Sequence, residues 1–170
     1  MFLKTEEQAF CMRIRAARIQ DIDSIIPVVM DYEKASESYL ADKYKSMRDK
    51  KKPLKKHIKL AFEKDIQKKN AKFLVIEDGN KIIGYIFGEV RDDSHPLYKR
   101  PKTGELNDIA VLNKYQGKGV ASRLWKELQK WFIRKKCRMV TLSVNSNNKA
   151  REIYKRWGFD VFYLRMIKKI

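Results

Sequence analysis

The sequence predicts a mixed α/β (α+β) domain. Three features predict it. Two apolar, strand-like runs are joined by Asp78-Gly79-Asn80. A further strand leads through a glycine-bearing loop into a long amphipathic helix. The last third alternates strand, helix and strand, so strands and helices must share one core.

Taken in order, residues 1–11 read as a loose leader. Arg13-Ile14-Arg15-Ala16 alternates as a short strand. Asp21 is the N-cap candidate for a helix carrying Ile25, Ile26, Val29 and Met30, and a second helix is expected over Tyr32 to Lys50. Pro53 suits the first position of another helix, in which Leu54, Ile58, Ala61, Phe62 and Ile66 recur at helical spacing, with Asn70 as its stop. Lys72 to Asp78 and Lys81 to Val90 form the hairpin. The prolines and polar residues of Arg91 to Thr103 make a loop. Gly104 to Leu112 is a strand, and a helix beginning near Lys118 buries Val120, Ala121, Leu124, Trp125, Leu128, Trp131 and Phe132. Arg138 to Val144 is the next strand. Asn148 to Trp157 is a helix stopped by Gly158, and Asp160 to Ile167 is a closing strand.

The 170 residues suit one domain over 12–170. Composition narrows the functional classes. No apolar run reaches the roughly 18 residues of a membrane span, and the start lacks a signal-peptide core, so a cytoplasmic protein without a membrane partner is expected. Two cysteines, Cys11 and Cys137, and two distant histidines, His57 and His95, give neither a disulfide framework nor metal-ligand spacing, so no metal is expected. Net charge is +18. Residues 43–72 hold thirteen Lys or Arg against three acids, a net +10. That block would suit a nucleic-acid partner, but it has few aromatic residues to stack bases and reads better as a solvated helix surface.

The chemistry concentrates in two places. Gln116-Gly117-Lys118-Gly119-Val120-Ala121 joins a strand to a helix. Free N–H groups at a helix N-terminus bind anions, Gly119 permits close backbone approach, and Lys118 adds charge. The loop lacks both the Walker and the dinucleotide spacings. Downstream, Asn147-x-x-Ala150-x-x-Ile153-Tyr154-x-x-x-Gly158-Phe159 puts Ala150, Ile153 and Tyr154 on one helix face. Tyr154 is either a core residue with a satisfied hydroxyl or a proton donor.

Together these residues resemble the GNAT superfamily of N-acetyltransferases. Gln116, Gly119 and Ala121 match its pyrophosphate motif. Leu106 to Val111 resembles its fourth strand. Asn147, Ala150, Ile153, Tyr154, Gly158 and Phe159 match its downstream signature, and Arg13 to Ala17 followed by Asp21 resembles its opening. The likeness spans about residues 12–168. It implies a mostly antiparallel sheet of about six to seven strands flanked by helices, with the fourth and fifth strands splayed around acetyl-CoA. It implies that the cosubstrate contacts the backbone of Ile109, Ala110 and Val111, the loop Gln116, Gly117, Lys118, Gly119, Val120 and Ala121, and Asn147. It implies direct attack by an amine, with Tyr154 protonating the thiolate. Glu105 is the first candidate for the base and Asp108 the second. Strict alternation sets them on opposite faces, and a bulge in this strand would change that. An acyl-Cys137 intermediate, favoured by neighbouring Lys135, Lys136 and Arg138, runs against the family's direct transfer.

The resemblance leaves the acceptor open. Residues 32–50 and 91–103 would build its pocket. Glu33, Glu37 and Asp42 suit a cationic amine, with Tyr39 and Tyr44 as walls, while His95 reads as an exposed loop residue. A small-molecule amine stands first and a protein or peptide amine second. A coenzyme A- or nucleic-acid-binding module without turnover is the alternative class, and a homodimer stays open.

Overall fold

The computed structural model describes residues 12–36, 53–91, 97 and 101–168. Its elements are β1 (Met12–Ala16), α1 (Ile22–Ser36), α2 (Leu54–Gln67), β2 (Ala71–Asp78), β3 (Lys81–Arg91), β4 (Thr103–Val111), α3 (Val120–Arg134), β5 (Met139–Leu142) and α4 (Arg151–Arg156). The strands form one sheet in the order β1-β2-β3-β4-β5. All neighbours are antiparallel except β4 and β5, which are parallel and joined through α3.

The sheet is covered on both faces, which is why β2 and β3 read as nearly continuous apolar runs. On one face Phe73, Val75, Tyr85, Phe87 and Ala110 pack against Ile22, Ile25, Val28 and Val29 of α1 and Ile58 and Phe62 of α2. On the other, Leu74, Ile76, Ile83, Ile86 and Leu106 receive Val120, Leu124, Trp125, Leu128, Trp131 and Phe132 of α3. Gly88 and Gly104 make room for that helix. A Cβ on Gly104 would lie 2.5 Å from the Phe132 ring, and one on Gly88 would lie 2.9 Å from both Leu128 and Phe132.

Several expectations are corrected. The described residues hold five strands rather than six or seven. Asp160 to Ile167 forms no strand, because it leaves α4 without reaching a sheet partner, and a ladder requires one. α1 continues unbroken through Tyr32 to Ser36, so no new helix starts at Tyr32. The remainder of the helix expected over 32–50, with Glu37, Tyr39, Asp42 and Tyr44, lies outside the described residues, as do His95 and residues 1–11. Pro53 caps α2 from just outside it. α3 starts at Val120, two residues later than expected, because Gly119 has φ +75° and cannot be helical. β5 and α4 are both shorter than expected.

Asp21 immediately precedes α1 but does not cap it. Its carboxylate accepts the Arg18 N–H at 2.7 Å and the Arg15 guanidinium at 2.6 and 2.8 Å. Arg15 also reaches Glu77 at 2.9 Å, so one guanidinium ties β1, β2 and the start of α1 together. The Arg15 hydrogen bond holds the Asp21 carboxyl below its ordinary range despite its burial.

Both α3 and α4 end in Schellman motifs. After α4, Phe159 N–H bonds Tyr154 C=O at 3.0 Å and Gly158 sits at φ +90°. After α3, Cys137 N–H bonds Phe132 C=O at 3.0 Å, and the left-handed position is Lys136, at φ +61°. A side chain there costs about 1 kcal/mol. Lys136→Gly should therefore raise Tm by about 2–4 °C for a chain of this size. A calorimetric scan showing no gain would mean that Lys136 is held by contacts that offset its backbone strain.

Candidate active site

The site begins where the sheet stops being a sheet. β5 pairs with β4 only from Thr103↔Met139 to Leu106↔Leu142. Beyond that, Asp108 to Val111 keeps β3 on one side and has no described strand on the other. The two parallel strands thus open into a cleft whose wall is β4 backbone, with peptide groups available to a ligand.

A bulge lies at the mouth of this cleft. The β3–β4 register shifts between Phe87↔Asp108 and Gly88↔Leu106, leaving Asn107 unpaired. Leu106 and Gly104 face α3, so Glu105 faces α1 and α2. The extra residue returns Asp108 to that same face, where its carboxylate accepts the Tyr85 hydroxyl at 2.7 Å. Glu105 and Asp108 therefore share a face, unlike the strictly alternating case.

Their surroundings differ. Glu105 is ion-paired with the Arg91 guanidinium and stands where β4 and β5 are still joined. Asp108 stands where they part. Burial raises its pKa, against the lowering effect of its bonds from the Tyr85 hydroxyl and the Ile109 N–H. The Tyr85 hydroxyl is pushed well above its ordinary value by burial and by Asp108. Tyr154 is pushed up to about 12, first by burial and then by Tyr32 and Asp108. Tyr85 bonds Asp108 directly, and Tyr32 of α1 and Asp108 of β4 both act electrostatically on Tyr154 of α4.

Tyr154 owes its place to aromatic packing. Trp157 stacks on Trp125 of α3 at 5.6 Å, its indole N–H donates to Ser122 Oγ at 3.1 Å, and Phe159 lies 5.2 Å from Trp125. Tyr154 meets Trp157 edge-on at 5.6 Å. α4 is thereby pinned to α3.

The glycine loop lies at the other end of the open β4 segment. Gly117 and Gly119 have φ +74° and +75°, and a Cβ on either would meet nothing within 4 Å. The loop's outer surface is bare backbone, followed by the first N–H groups of α3. It is braced from behind. Gln116 turns its amide back to Val111 C=O at 3.2 Å and Asn113 Oδ1 at 2.9 Å. Tyr115 donates to Asp78 at 2.8 Å, and Asp31 of α1 accepts the Asn113 N–H at 2.8 Å. Lys118 extends its ammonium over the Tyr115 ring at 5.5 Å. An anion seated here would find oriented donors and a nearby cation.

The model of the Acetyltransferase (GNAT) family matches residues 33–159, spanning the hairpin, β4, the loop and α4. The chain belongs to the GNAT acetyltransferase family. A protein of Archaeoglobus fulgidus described as an uncharacterized N-acetyltransferase is 24% identical over 144 residues, covering 84% of this chain and 89% of that one. A Bacillus halodurans protein solved as a tetramutant superposes with TM-score 0.80 at 18% identity, over 93% of this chain and 99% of its own. An aminoglycoside N-acetyltransferase in complex with CoA gives TM-score 0.70 at 16% identity, over 94% of each chain. The glucosamine-6-phosphate N-acetyltransferase of Arabidopsis thaliana gives 0.66 at 17%, over 93% and 97%. At these identities the likeness of structures establishes the fold.

In this GNAT N-acetyltransferase the structure gathers Asp108, Ile109, Ala110, Val111 and Tyr154 around the opening, with residues 116–121 at its end. Asn147 is exposed in the turn before α4, its N–H bonded to Asn145 Oδ1 at 3.0 Å. Cys137 is at the far end of α3, and burial raises its thiol pKa, with Lys102 lowering it less. That is the reverse of the effect inferred from its cationic neighbours, and it removes the case for a thiolate nucleophile. No helix of the described residues is long and apolar enough to cross a membrane.

Sequence reading missed Tyr85, Tyr32 and Asp31. Tyr85 left a trace: a hydroxyl inside the apolar run of β3 must find a buried partner.

The raised pKa of Asp108 has a stability consequence. Folding favours its neutral form, so the stability it lends at low pH is lost as pH climbs from the unfolded value, about 3.9, through the folded one. Asp108→Asn keeps an acceptor for Tyr85 and removes the charge. Its Tm gain over the parent should be larger at pH 7 than at pH 4. An equal difference at both would show that Asp108 is not destabilised by ionising in place.

Proposed function

We propose that this acetyl-CoA-dependent N-acetyltransferase acetylates a cationic small-molecule amine by direct transfer, using Asp108 as base and Tyr154 as donor to the leaving thiolate. The observation that carries this reading is the stretch of β4 edge left open between the glycine loop and the Asp108–Tyr154 group. That stretch would receive acetyl-CoA. Its pyrophosphate would sit on the N–H groups of residues 116–121 beside Lys118, and its pantetheine arm on the edge of Ile109 to Val111.

The acceptor arrives protonated, since an alkyl ammonium has a pKa near 10. Asp108 takes a proton from it, directly or through one water, and the nitrogen attacks the thioester carbonyl carbon. The oxyanion is held by β4 backbone N–H groups. The carbon–sulfur bond then breaks as the nitrogen gives up its second proton to water, and the thiolate accepts the Tyr154 hydrogen bond. A phenol at about 12 is a weaker acid than a thiol at about 8.5, so full transfer is uphill and the donor's contribution is modest. Asp108 is favoured over Glu105 because its carboxylate stands at the opening and is made more basic by burial, whereas Glu105 is matched to Arg91.

The acceptor class rests on charge. Of the acids on the α1–α2 side of the sheet, Asp65 and Glu89 pair with Lys68 and Glu105 with Arg91, which leaves Asp108, held by the Tyr85 hydroxyl, to meet a cation. The exposed lysines of α2 point away into solvent. The aminoglycoside and glucosamine-6-phosphate enzymes of the same fold act on amines of small molecules by name, which agrees with this choice.

Following free thiol with acetyl-CoA and a panel of small polyamines, amino sugars and peptides tests the class directly. Release only with peptides would overturn the small-molecule reading. Asp108→Asn should lower kcat/KM at neutral pH by about 10²-fold, with recovery as pH rises and the acceptor deprotonates unaided, while Glu105→Gln should leave that profile shape intact. The opposite ranking would return the base to Glu105. Tyr154→Phe should lower kcat by about 10–10²-fold with acetyl-CoA affinity held within a few-fold. A lower Tm with unchanged kcat would make Tyr154 a packing residue. Gly119→Val should weaken acetyl-CoA binding by at least about 10-fold in calorimetry, because a branched side chain would stand on the bare backbone surface at a positive φ.

A further inference from the structure

The glycine loop is held from one side only. A Cβ on Gly117 or Gly119 would meet nothing within 4 Å, so no packing fixes the loop from outside. Glycine also loses more conformational freedom on ordering than any other residue. The short turn that leads into the loop, Asn113–Tyr115, starts at Leu112, whose side chain offers no acceptor to the first N–H of the turn.

A carboxylate from α1 takes that role across eighty-two residues of sequence. Asp31 Oδ2 accepts the Asn113 N–H at 2.8 Å, and Asp31 Oδ1 accepts Asn113 Nδ2 at 3.0 Å. Asn113 Oδ1 in turn accepts Gln116 Nε2 at 2.9 Å, and the same Nε2 donates to Val111 C=O at 3.2 Å. Both ends of this run have a fixed polarity. The Val111 C=O can only accept, and the Asn113 N–H can only donate. Turning over the Gln116 amide would set its Oε1 against Val111 C=O. Turning over the Asn113 amide would set its Nδ2 against Gln116 Nε2. The run is satisfied throughout only if the group at position 31 accepts at both of its atoms, as a carboxylate does. The charge of that carboxylate opposes an anion in the nearby loop, so its hydrogen bonds and its charge act in opposite directions on such a ligand.

We propose that Asp31 is a positioning residue for acetyl-CoA: by fixing the Asn113 and Gln116 amides it holds the turn at residues 116–119 in the shape that receives the pyrophosphate. This rests on the assignment of the pyrophosphate to that loop.

Asp31→Asn tests the role, because loss of the charge alone would tighten acetyl-CoA binding and loss of the hydrogen-bond run would weaken it. The dissociation constant measured by calorimetry should rise about 5–10-fold, with KM for acetyl-CoA rising by more than kcat falls. Combining Asp31→Asn with Asn113→Asp restores every bond. The new amide at position 31 accepts the backbone N–H of position 113 and donates to the new carboxylate there, whose other oxygen accepts Gln116 Nε2. This pair should return the dissociation constant to within about 3-fold of the parent's. If the far-UV spectrum shows that Asp31→Asn does not fold, Asn113→Ala reads the same role. It leaves Asp31 its backbone N–H, removes only the amide that holds Gln116, and should weaken binding about 5–10-fold. An affinity equal to or tighter than the parent's in Asp31→Asn or Asn113→Ala would overturn the proposal, as would a pair that binds no better than the single variant. Gly119→Val, measured alongside, separates the two readings. If it too binds as the parent does, the pyrophosphate assignment has failed; if it alone loses binding, only the role of Asp31 has.

Discussion

Backbone peptide groups in a sheet require partners on both sides, and between β4 and β5 they have them for four residues only. Everything the site contains is arranged around that interruption. The connection from β4 to β5 runs through α3, so the strand that opens the cleft and the helix behind the glycine loop are consecutive in the chain. The α3 N-terminus is consequently placed at the end of the same backbone stretch that the interruption exposes. α4 packs on α3 through Trp125 and Trp157, which fixes the helix that carries Tyr154. The cleft is built from neighbours in sequence, with α1 and β3 supplying the polar partners Asp31, Tyr32 and Tyr85.

That locality explains which parts were legible beforehand. The hairpin, the α3 stripe and the glycine loop are short-range patterns, and each stands close to where its residues put it. Gly158 was readable as a helix stop because a left-handed C′ position leaves few alternatives. The misreadings involve long-range partners. Asp21 looks like a cap until Arg15 claims its carboxylate, and Arg15 is drawn there by Glu77, sixty-two residues away. Residues 160–167 have the composition of a strand, but composition does not say which edge will pair with them. Cys137 has cations beside it in sequence, yet its burial dominates its acidity.

The active-site carboxylate shows the same division more finely. Asn107 carries no mark of a bulge, and alternation alone would turn Asp108 to the α3 face. The register shift lies opposite Gly88, one of the two glycines on which α3 packs. That shift, which no local residue announces, sets Glu105 and Asp108 on one face of the sheet. Electrostatics follows from the same placement: Asp108 is poised by Tyr85 and by burial, while Glu105, three residues earlier, is neutralised by Arg91.

The hollow made by Gly88 and Gly104 has a mechanical consequence. It receives Phe132, near the C-terminal end of α3, while the glycine turn lies at the opposite end, about 20 Å away along a stiff helix. The helix therefore works as a pointer whose pivot is a phenyl ring resting in a socket of missing methyl groups. Filling the socket by one carbon would tilt the pointer, and the far tip would swing farther than the pivot moved. The placement of the turn before α3 is thus tied to two glycines under the helix's far end.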